Sequence, residues 1–293
     1  LYTASRAPEA GSRWGDIALD RAQARRTSGR RRVSDLRGTV SLPSREDLRM
    51  PDPDLSVVVP VHNEQDNLEP LWAEIRDALD TVGLDAEVLF VNDGSTDRSS
   101  EVLDGIRAGD ARVRVLDHDR NHGLTAALDC GFRHARGRLI GMLDADMQNP
   151  PADLKTLYDA MGDHDVVVGW RKDRDDPWIK LVSSRIANAY RNWRTQESIH
   201  DTGCGLKLFR REVIERIKLY KGLHRFLPTL ARMEGFTVAE VPVSHRPRES
   251  GESHYGVWNR LWKGLRDVRT IRWMWANNIS WKATERPPTG PDA

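Results

Sequence analysis

The chain has 293 residues, of which 30% are charged and 39% hydrophobic, and its formal net charge is +1. This composition is typical of a water-soluble protein with one substantial core, and we find neither the roughly 20 consecutive apolar residues of a membrane-spanning helix nor the apolar core of a signal peptide. Cys130 and Cys204 lie far apart without metal-ligand spacing, which argues against a disulfide framework and a zinc site and fits a reducing cytosol.

Residues 1–54 form a basic arm, in which arginines such as Arg25, Arg26 and Arg30 stand among Ser, Gly, Ala and Pro without a sustained apolar period. We predict that this arm is mostly disordered. A solvated tail is favoured over a segment that binds anionic lipid or nucleic acid, and a transit peptide is a third alternative.

From Leu55 onward, short β-branched runs alternate with segments of helical spacing. The runs are LSVVVPV, AEVLFVND, RVRVLDH, RLIGMLDAD and DVVVGW. After about Pro177 the pattern predicts a helix over 178–193, the strands GLKLF and FTVAEVPV, helices near Glu212 and Arg225, and a last helix. Gly235 is expected to end a helix. This alternation predicts an α/β fold whose mostly parallel sheet is covered by helices on both faces, with ligands beyond the carboxyl ends of the strands.

The first two strands end in polar turns, HNE after the first and NDGSTD after the second. Either turn alone is weak evidence for function, because Ser95 or Asp97 could cap a helix and Glu64 could be a first-turn carboxylate favoured by the helix dipole. Functionally, Asp93 can accept the N–H of a nucleotide base while backbone amides approach the ribose and phosphates. Two adjacent turns therefore predict a nucleotide cleft.

Asp144, Asp146 and Gln148 follow the apolar run RLIGML at alternate positions. On an extended chain alternate side chains point the same way, so three oxygen-bearing groups would converge. Mg²⁺ or Mn²⁺ prefers a few such oxygens and completes its shell with water and substrate phosphates. The alternative is a surface turn before a helix that starts at Pro150 and Pro151.

The motifs VPVHNE, VNDGSTD, NHGLTAALDCGF and DADMQ, in this order and spacing, resemble the nucleotide-binding half of a family 2 inverting glycosyltransferase with the GT-A fold. The resemblance covers roughly residues 55–255. It implies transfer from a nucleotide-diphosphate sugar with inversion of the anomeric carbon. It assigns binding of the nucleoside to Pro60, Asn63 or Glu64, and Asp93. It implies that Asp144 and Asp146 bracket the metal and the diphosphate, and that Gln148 completes the site for Mg²⁺ or Mn²⁺.

The second half of the chain resembles the polyprenyl-phosphate glycosyltransferases, which include the dolichol-phosphate mannose synthases. The residues that carry this likeness are DTGCGLKLFRR and His245, Arg248, Gly251, Ser253, Tyr255 and Gly256. The pattern departs at His254, where the family usually has lysine, so phosphate contact there is in doubt. We interpret this loop as an active-site lid in preference to an inert connector. The residues assigned to binding the acceptor or the diphosphate are Arg246, Arg248, Ser253 and Tyr255.

The acceptor decides what Asp201 does. A lipid phosphate has a second pKa of about 6, is already an anionic nucleophile at neutral pH, and needs little deprotonation. Catalysis is then mainly positioning, with a metal at Asp146 and with Arg225 or Arg248 reducing the repulsion between two anions, while Asp201 orients the sugar. A hydroxyl acceptor would instead need a general base, and Asp201 would be the candidate.

Residues 257–293 contain a basic amphipathic helix. Its apolar positions are Val257, Trp258, Leu261, Trp262, Leu265, Val268, Ile271 and Trp275, and its basic positions include Arg260, Lys263, Arg266, Arg269 and Arg272. Tryptophan and basic residues suit the headgroup region, so we favour a helix lying in the plane of a membrane, which places the protein peripherally at the inner, cytoplasmic face. The alternative is an apolar stripe packed on the protein's own core.

The sequence therefore predicts three segments, 1–54, 55–256 and 257–293. The leading interpretation is sugar transfer to undecaprenyl or dolichyl phosphate, and the runner-up is the same fold acting on a saccharide or protein hydroxyl. A processive synthase lacks support because the chain has no QxxRW motif. A non-catalytic membrane or nucleic-acid adaptor is disfavoured by the Asp144, Asp146 and Gln148 trio, so we expect no nucleic-acid partner; oligomerisation stays open.

Overall fold

The computed structural model describes residues 52–172, 199–246 and 257–279, and within the last range it describes the side chains from residue 266 onward. Nearly all of the basic arm, the predicted helix over 178–193 and the loop residues Arg248, Ser253 and Tyr255 lie outside the described residues, so the predictions made for them stand as predictions.

Seven strands among the described residues form one sheet, in the order β3-β2-β1-β4-β6-β5-β7. The strands are β1 Leu55–Val61, β2 Ala86–Asn92, β3 Val113–Asp117, β4 Leu139–Met142, β5 Val166–Arg171, β6 Lys207–Arg210 and β7 Val238–Val243. Only β6 runs antiparallel to its neighbours, β4 and β5, within this sheet. The mostly parallel sheet expected from the continuous apolar runs is confirmed.

Helices cover both faces of the sheet. They are α1 Gln65–Val82, α2 Ser99–Gly109, α3 Leu124–His134, α4 Asp153–Asp159, α5 Arg211–Arg216, a 3₁₀ turn at Leu223–Phe226, α6 Leu227–Met233 and α7 Val257–Ala276. Apolar side chains of α1, α2 and α4 pack on one face of the sheet, and those of α3, α5 and α6 pack on the other. Gly235 has φ +88° just beyond α6, which confirms that it ends this helix.

Some apolar side chains of α7 pack against the rest of the protein and others are exposed. Val268 and Ile271 are buried in a small cluster with Leu223, Phe226 and Leu230. For Val268 and Ile271 the packed alternative is therefore correct, and the expectation that they face a membrane is wrong. Trp273 and Trp275 of the same helix are exposed. Within the described ranges no helix has the length and apolar character needed to cross a bilayer.

Candidate functional site

The two polar turns at the carboxyl ends of β1 and β2 are bonded to each other. Asn63 has φ +56°, its backbone N–H donates to Ser95 Oγ at 3.1 Å, and its Oδ1 accepts the Thr96 N–H at 2.7 Å. The Glu64 N–H donates to Ser99 Oγ at 3.0 Å. Asn63 and Glu64 thus fix the shape of the predicted nucleotide cleft. Pro60 lies buried one residue before the end of β1, beside Val91 of β2.

Asp93 organises the loop that leads into α3. Its carboxylate accepts the backbone N–H groups of His122 at 2.9 Å and Gly123 at 2.7 Å, and its Oδ1 lies 2.7 Å from His118 Nδ1. Burial raises the pKa of Asp93, but these hydrogen bonds outweigh it, so the net pKa is below its usual value. The N–H of a nucleotide base would therefore have to bind a carboxylate that already forms hydrogen bonds with the 118–123 loop.

The acidic motif after β4 does not continue as a strand. The strand ends at Met142, the chain turns at residues 145–146, and Met147 has φ +60°. Asp146 Oδ1 accepts the Gln148 N–H at 3.3 Å. The expectation that residues 144–148 form an extended chain is therefore wrong, because the chain turns here and Asp146 bonds the turn, while the grouping of the three side chains around a metal stays a prediction.

Asp144 is packed against Gly205, in the segment that enters β6. A Cβ built on Gly205 would lie 2.0 Å from Asp144 Oδ2, so only glycine leaves room for this carboxylate. The described residues hold no group of three His, Cys, Asp or Glu side chains that could bind a metal. Two carboxylates with an amide nearby still fit Mg²⁺ or Mn²⁺, which take one or two protein carboxylates and draw the remaining oxygens from phosphates and water.

Asp201 forms a bidentate ion pair with Arg171. Nothing in the sequence singled out Arg171. Arg171 Nε donates to Oδ2 at 2.7 Å and Nη2 donates to Oδ1 at 3.0 Å, and the Gly203 N–H donates to Oδ1 at 3.0 Å. Burial lowers the pKa of Arg171, but the bonds and charge of Asp201 and the charge of Asp144 raise it above its usual value. Arg171 therefore fixes the orientation of the Asp201 carboxylate.

Lys207, on β6, is a fully buried lysine near the Asp201 segment in the chain. Its Nζ donates to the Cys204 carbonyl, and burial lowers its pKa although the charges of Asp144 and Asp201 favour the ammonium form. The sequence carried a signal for it, since GLKLF places a lysine inside an apolar strand.

Two predicted phosphate-binding arginines have protein partners. Arg246 Nη1 lies 2.7 Å from Glu74 Oε1 on α1, and the Arg246 N–H donates to the Gln148 carbonyl at 2.9 Å. Arg225 Nη2 lies 3.0 Å from Asp267 Oδ2 on α7. Arg246 thus lies beside the acidic motif, and a phosphate would compete with Glu74 for it. Arg225 is held by the last helix.

Known proteins match the part of the chain that builds this site. The model of the family described as Glycosyl transferase family 2 matches residues 56–218. The undecaprenyl-phosphate 4-deoxy-4-formamido-L-arabinose transferase of Edwardsiella ictaluri (strain 93-146) is 39% identical over 205 residues, 69% of this chain and 63% of that protein. The dodecaprenyl-phosphate galacturonate synthase of Rhizobium johnstonii is 33% identical over 224 residues, 74% of this chain and 66% of that protein. The chain spans less than two thirds of the length of both relatives.

Solved structures share the fold. A mannosyltransferase from Pyrobaculum calidifontis, in complex with GDP-Man and Mn²⁺, has a TM-score of 0.55 at 22% identity and covers 76% of this chain and 66% of its own. A glucosyl-3-phosphoglycerate synthase from Mycobacterium tuberculosis, in complex with Mn²⁺, UDP and glucosyl-3-phosphoglycerate, has a TM-score of 0.58 at 17% identity. The match covers 78% of this chain and 81% of the synthase chain. These likenesses confirm the predicted GT-A fold.

Proposed function

Because the chain belongs to glycosyl transferase family 2, we propose that it transfers a sugar from a UDP- or GDP-sugar to a polyprenyl phosphate at a membrane surface, with inversion at the anomeric carbon. The acceptor class is supported by the names of two relatives, both polyprenyl-phosphate enzymes. The GDP-Man and UDP complexes of the structural neighbours are compatible with such a donor.

The observation that carries the proposal is the junction between Asp144 and the Asp201 segment. Gly205 lets the Asp144 carboxylate lie against the backbone, and Arg171 holds Asp201 four residues earlier. A carboxylate suited to a metal diphosphate and a carboxylate suited to sugar hydroxyls thereby lie at the same edge of the sheet. This is where a displacement at the anomeric carbon needs both groups.

Asp144 and Asp146, with Gln148, would hold Mg²⁺ or Mn²⁺, which when bound stabilises charge on the departing nucleotide diphosphate. The residues of the chain supply the remaining positioning. Asn63 and Glu64 shape the cleft for the nucleoside, and Asp201 orients the sugar for in-line attack by the acceptor phosphate, which is already anionic at neutral pH. Arg246, with Arg248, offers donors to phosphate oxygens.

A membrane partner is supported by the outward face of α7. Arg269 and Trp273 are exposed there, while Val268 and Ile271 anchor the opposite face to the protein. Exposed arginine and tryptophan match the charge and polarity of an anionic headgroup layer. We propose that this surface is the cytoplasmic face of the membrane, where the two reduced cysteines would also persist.

The proposal is tested by following nucleotide diphosphate release. Purified protein is incubated with Mg²⁺ or Mn²⁺, a panel of UDP- and GDP-sugars, and either a short polyprenyl phosphate or the same polyprenol without phosphate. We expect release that requires both the lipid phosphate and Asp146, so that Asp146→Ala is inactive while Asp163→Ala, a change at an exposed carboxylate, behaves as wild type. Release driven equally by the unphosphorylated alcohol would contradict the proposed acceptor.

A further inference from the structure

Asp201 has a second anchor besides Arg171, and it comes from the far edge of the sheet. Glu240 on β7 is largely buried, with its side chain 12% exposed. Its Oε1 accepts the backbone N–H of His200 at 2.9 Å and that of Asp201 at 3.2 Å. We propose that Glu240 is a positioning residue that sets where the backbone of Asp201 lies, an inference that rests on the proposed role of Asp201 in sugar transfer.

The chemistry of the contact favours this role over an incidental surface pair. Two consecutive backbone N–H groups point at one carboxylate, and its Oε2 also lies 3.0 Å from the His200 N and 3.0 Å from the His200 Nδ1. Hydrogen bonds from amides to an ionised carboxylate are shorter and roughly twice as strong as neutral ones. Because they go to the main chain, they fix the path of residues 200–201 whatever side chains those positions carry.

The two anchors of the segment come from opposite faces of the sheet. Glu240 pairs in register with Val168, so by strand alternation its side chain shares a face with those of Val168 and Trp170. The Trp170 ring stacks on His200, with centroids 4.5 Å apart and planes at 21°. Arg171, the next residue, points to the other face and holds the Asp201 carboxylate. His200 and Asp201 therefore straddle the end of β5.

The two anchors have different roles. Arg171 orients the Asp201 carboxylate, and Glu240 fixes the position of the Asp201 backbone relative to the sheet. Ile199, fully buried just before them, adds an apolar hold on the same segment. Loss of Glu240 would let the backbone move while the ion pair persists, which shifts the carboxylate without removing it. A displacement of about 1 Å can reduce turnover roughly 100-fold.

The test compares Glu240→Gln, His200→Ala and Glu234→Gln. Glutamine keeps the shape of Glu240 but replaces one acceptor oxygen with an NH₂ group that faces N–H donors. His200→Ala removes the ring contacts and keeps both backbone bonds. Glu234→Gln is a matched change at an exposed residue beyond α6. We expect Glu240→Gln to lower kcat roughly 10- to 100-fold, with the donor KM and the melting temperature nearly unchanged, and the other two variants to stay within about twofold of wild type.

Hydrogen exchange followed by mass spectrometry supplies a readout that does not depend on turnover. Glu240→Gln should speed exchange in peptides covering residues 199–205 and leave β1 as protected as in wild type. Wild-type kcat in Glu240→Gln, or unchanged exchange over 199–205, would overturn the role of Glu240. A wild-type protein that turns over no donor would contradict the proposed function, and the exchange result would still decide whether Glu240 anchors the segment.

Discussion

The Asp144 carboxylate occupies the space that a side chain at Gly205 would need, since a Cβ built there would lie 2.0 Å from Oδ2 and 2.5 Å from Cγ. We therefore expect Gly205→Ala to displace Asp144 and weaken Mn²⁺-dependent binding of a nucleotide diphosphate roughly 10- to 100-fold, as changes around metal ligands do. Titration calorimetry in Mn²⁺, repeated after chelation, measures this loss.

Gly105→Ala is the control for that change. Gly105 lies inside α2, and a Cβ built there meets nothing within 4 Å. Alanine should leave nucleotide affinity unchanged and stabilise the helix by up to about 1 kcal/mol. Wild-type affinity in Gly205→Ala would contradict the packing argument.

The ion pair between Arg171 and Asp201 depends on the forked guanidinium. Arg171→Lys keeps the charge but cannot donate two parallel hydrogen bonds, so one carboxylate oxygen loses its side-chain donor. We expect a loss of about 1–3 kcal/mol in the free energy of unfolding and a lower kcat. Urea unfolding and steady-state kinetics measure the two effects.

Arg107→Lys provides the comparison, because its single bond to Asp104 lies on the exposed surface of α2. Exposed pairs contribute about 0–1 kcal/mol, so this variant should unfold at nearly the wild-type urea concentration. Equal losses in the two variants would remove any special role for the fork at Arg171.

Asp93→Asn should destabilise the protein in a pH-dependent way. The pKa of Asp93 is lowered in the folded state, so its contribution is fully present above the unfolded-state value of about 3.9 and is lost as the pH falls through the folded-state pKa. We expect Asp93→Asn to cost about 1–3 kcal/mol at pH 7 and progressively less as the pH falls below about 4.

Denaturant unfolding at a series of pH values measures this difference. Asp163→Asn, a change at an exposed carboxylate, should follow the wild type throughout. A destabilisation by Asp93→Asn that stays constant from pH 7 to pH 3 would show that the amide disturbs the loop sterically and that the charge of Asp93 contributes little.

The two faces of α7 should respond differently to substitution. Replacing Arg269 and Trp273 together by alanine should reduce binding to vesicles that contain anionic phospholipid, with the melting temperature unchanged, because both side chains are exposed. Ile271→Ala should instead cost about 2–5 kcal/mol of stability, because Ile271 is fully buried in the cluster under the helix. Vesicle co-sedimentation and thermal unfolding separate the two outcomes, and unchanged sedimentation in the Arg269, Trp273 double variant would contradict a membrane-facing role.

The sequence predicted the strands well because β1, β2 and β5 are continuous apolar runs that fit only a sheet buried on both faces. It could not predict the partners that join distant segments. Arg171 and Glu240 are ordinary charged residues in sequence, and their importance comes from the register that brings β5 beside β7. Asn63 and Asp144 could be singled out because each lies two residues beyond the end of a strand, where position along the chain alone carries the information.

The form of the turn at Asp146 was missed for a related reason. An alternating motif after a strand favours an extended chain, but the positive φ of Met147 and the bond from the Gln148 N–H to Asp146 reverse it. A non-glycine residue with positive φ is uncommon, and nothing local in the letters DADMQ signals it. Asp144, just before the turn, packs against Gly205, which lies 61 residues later and is a partner that the local letters do not reveal.

The ion pair between Arg171 and Asp201 also joins two positions that are 30 residues apart in the chain, because Arg171 Nε lies 2.7 Å from Asp201 Oδ2. The free energy of closing such a ring rises only slowly with the number of residues between its ends, by about 0.6 kcal/mol for each doubling. The connection from Arg171 to Asp201 can therefore lengthen or shorten over evolution at little cost in stability while the pair keeps the carboxylate in place.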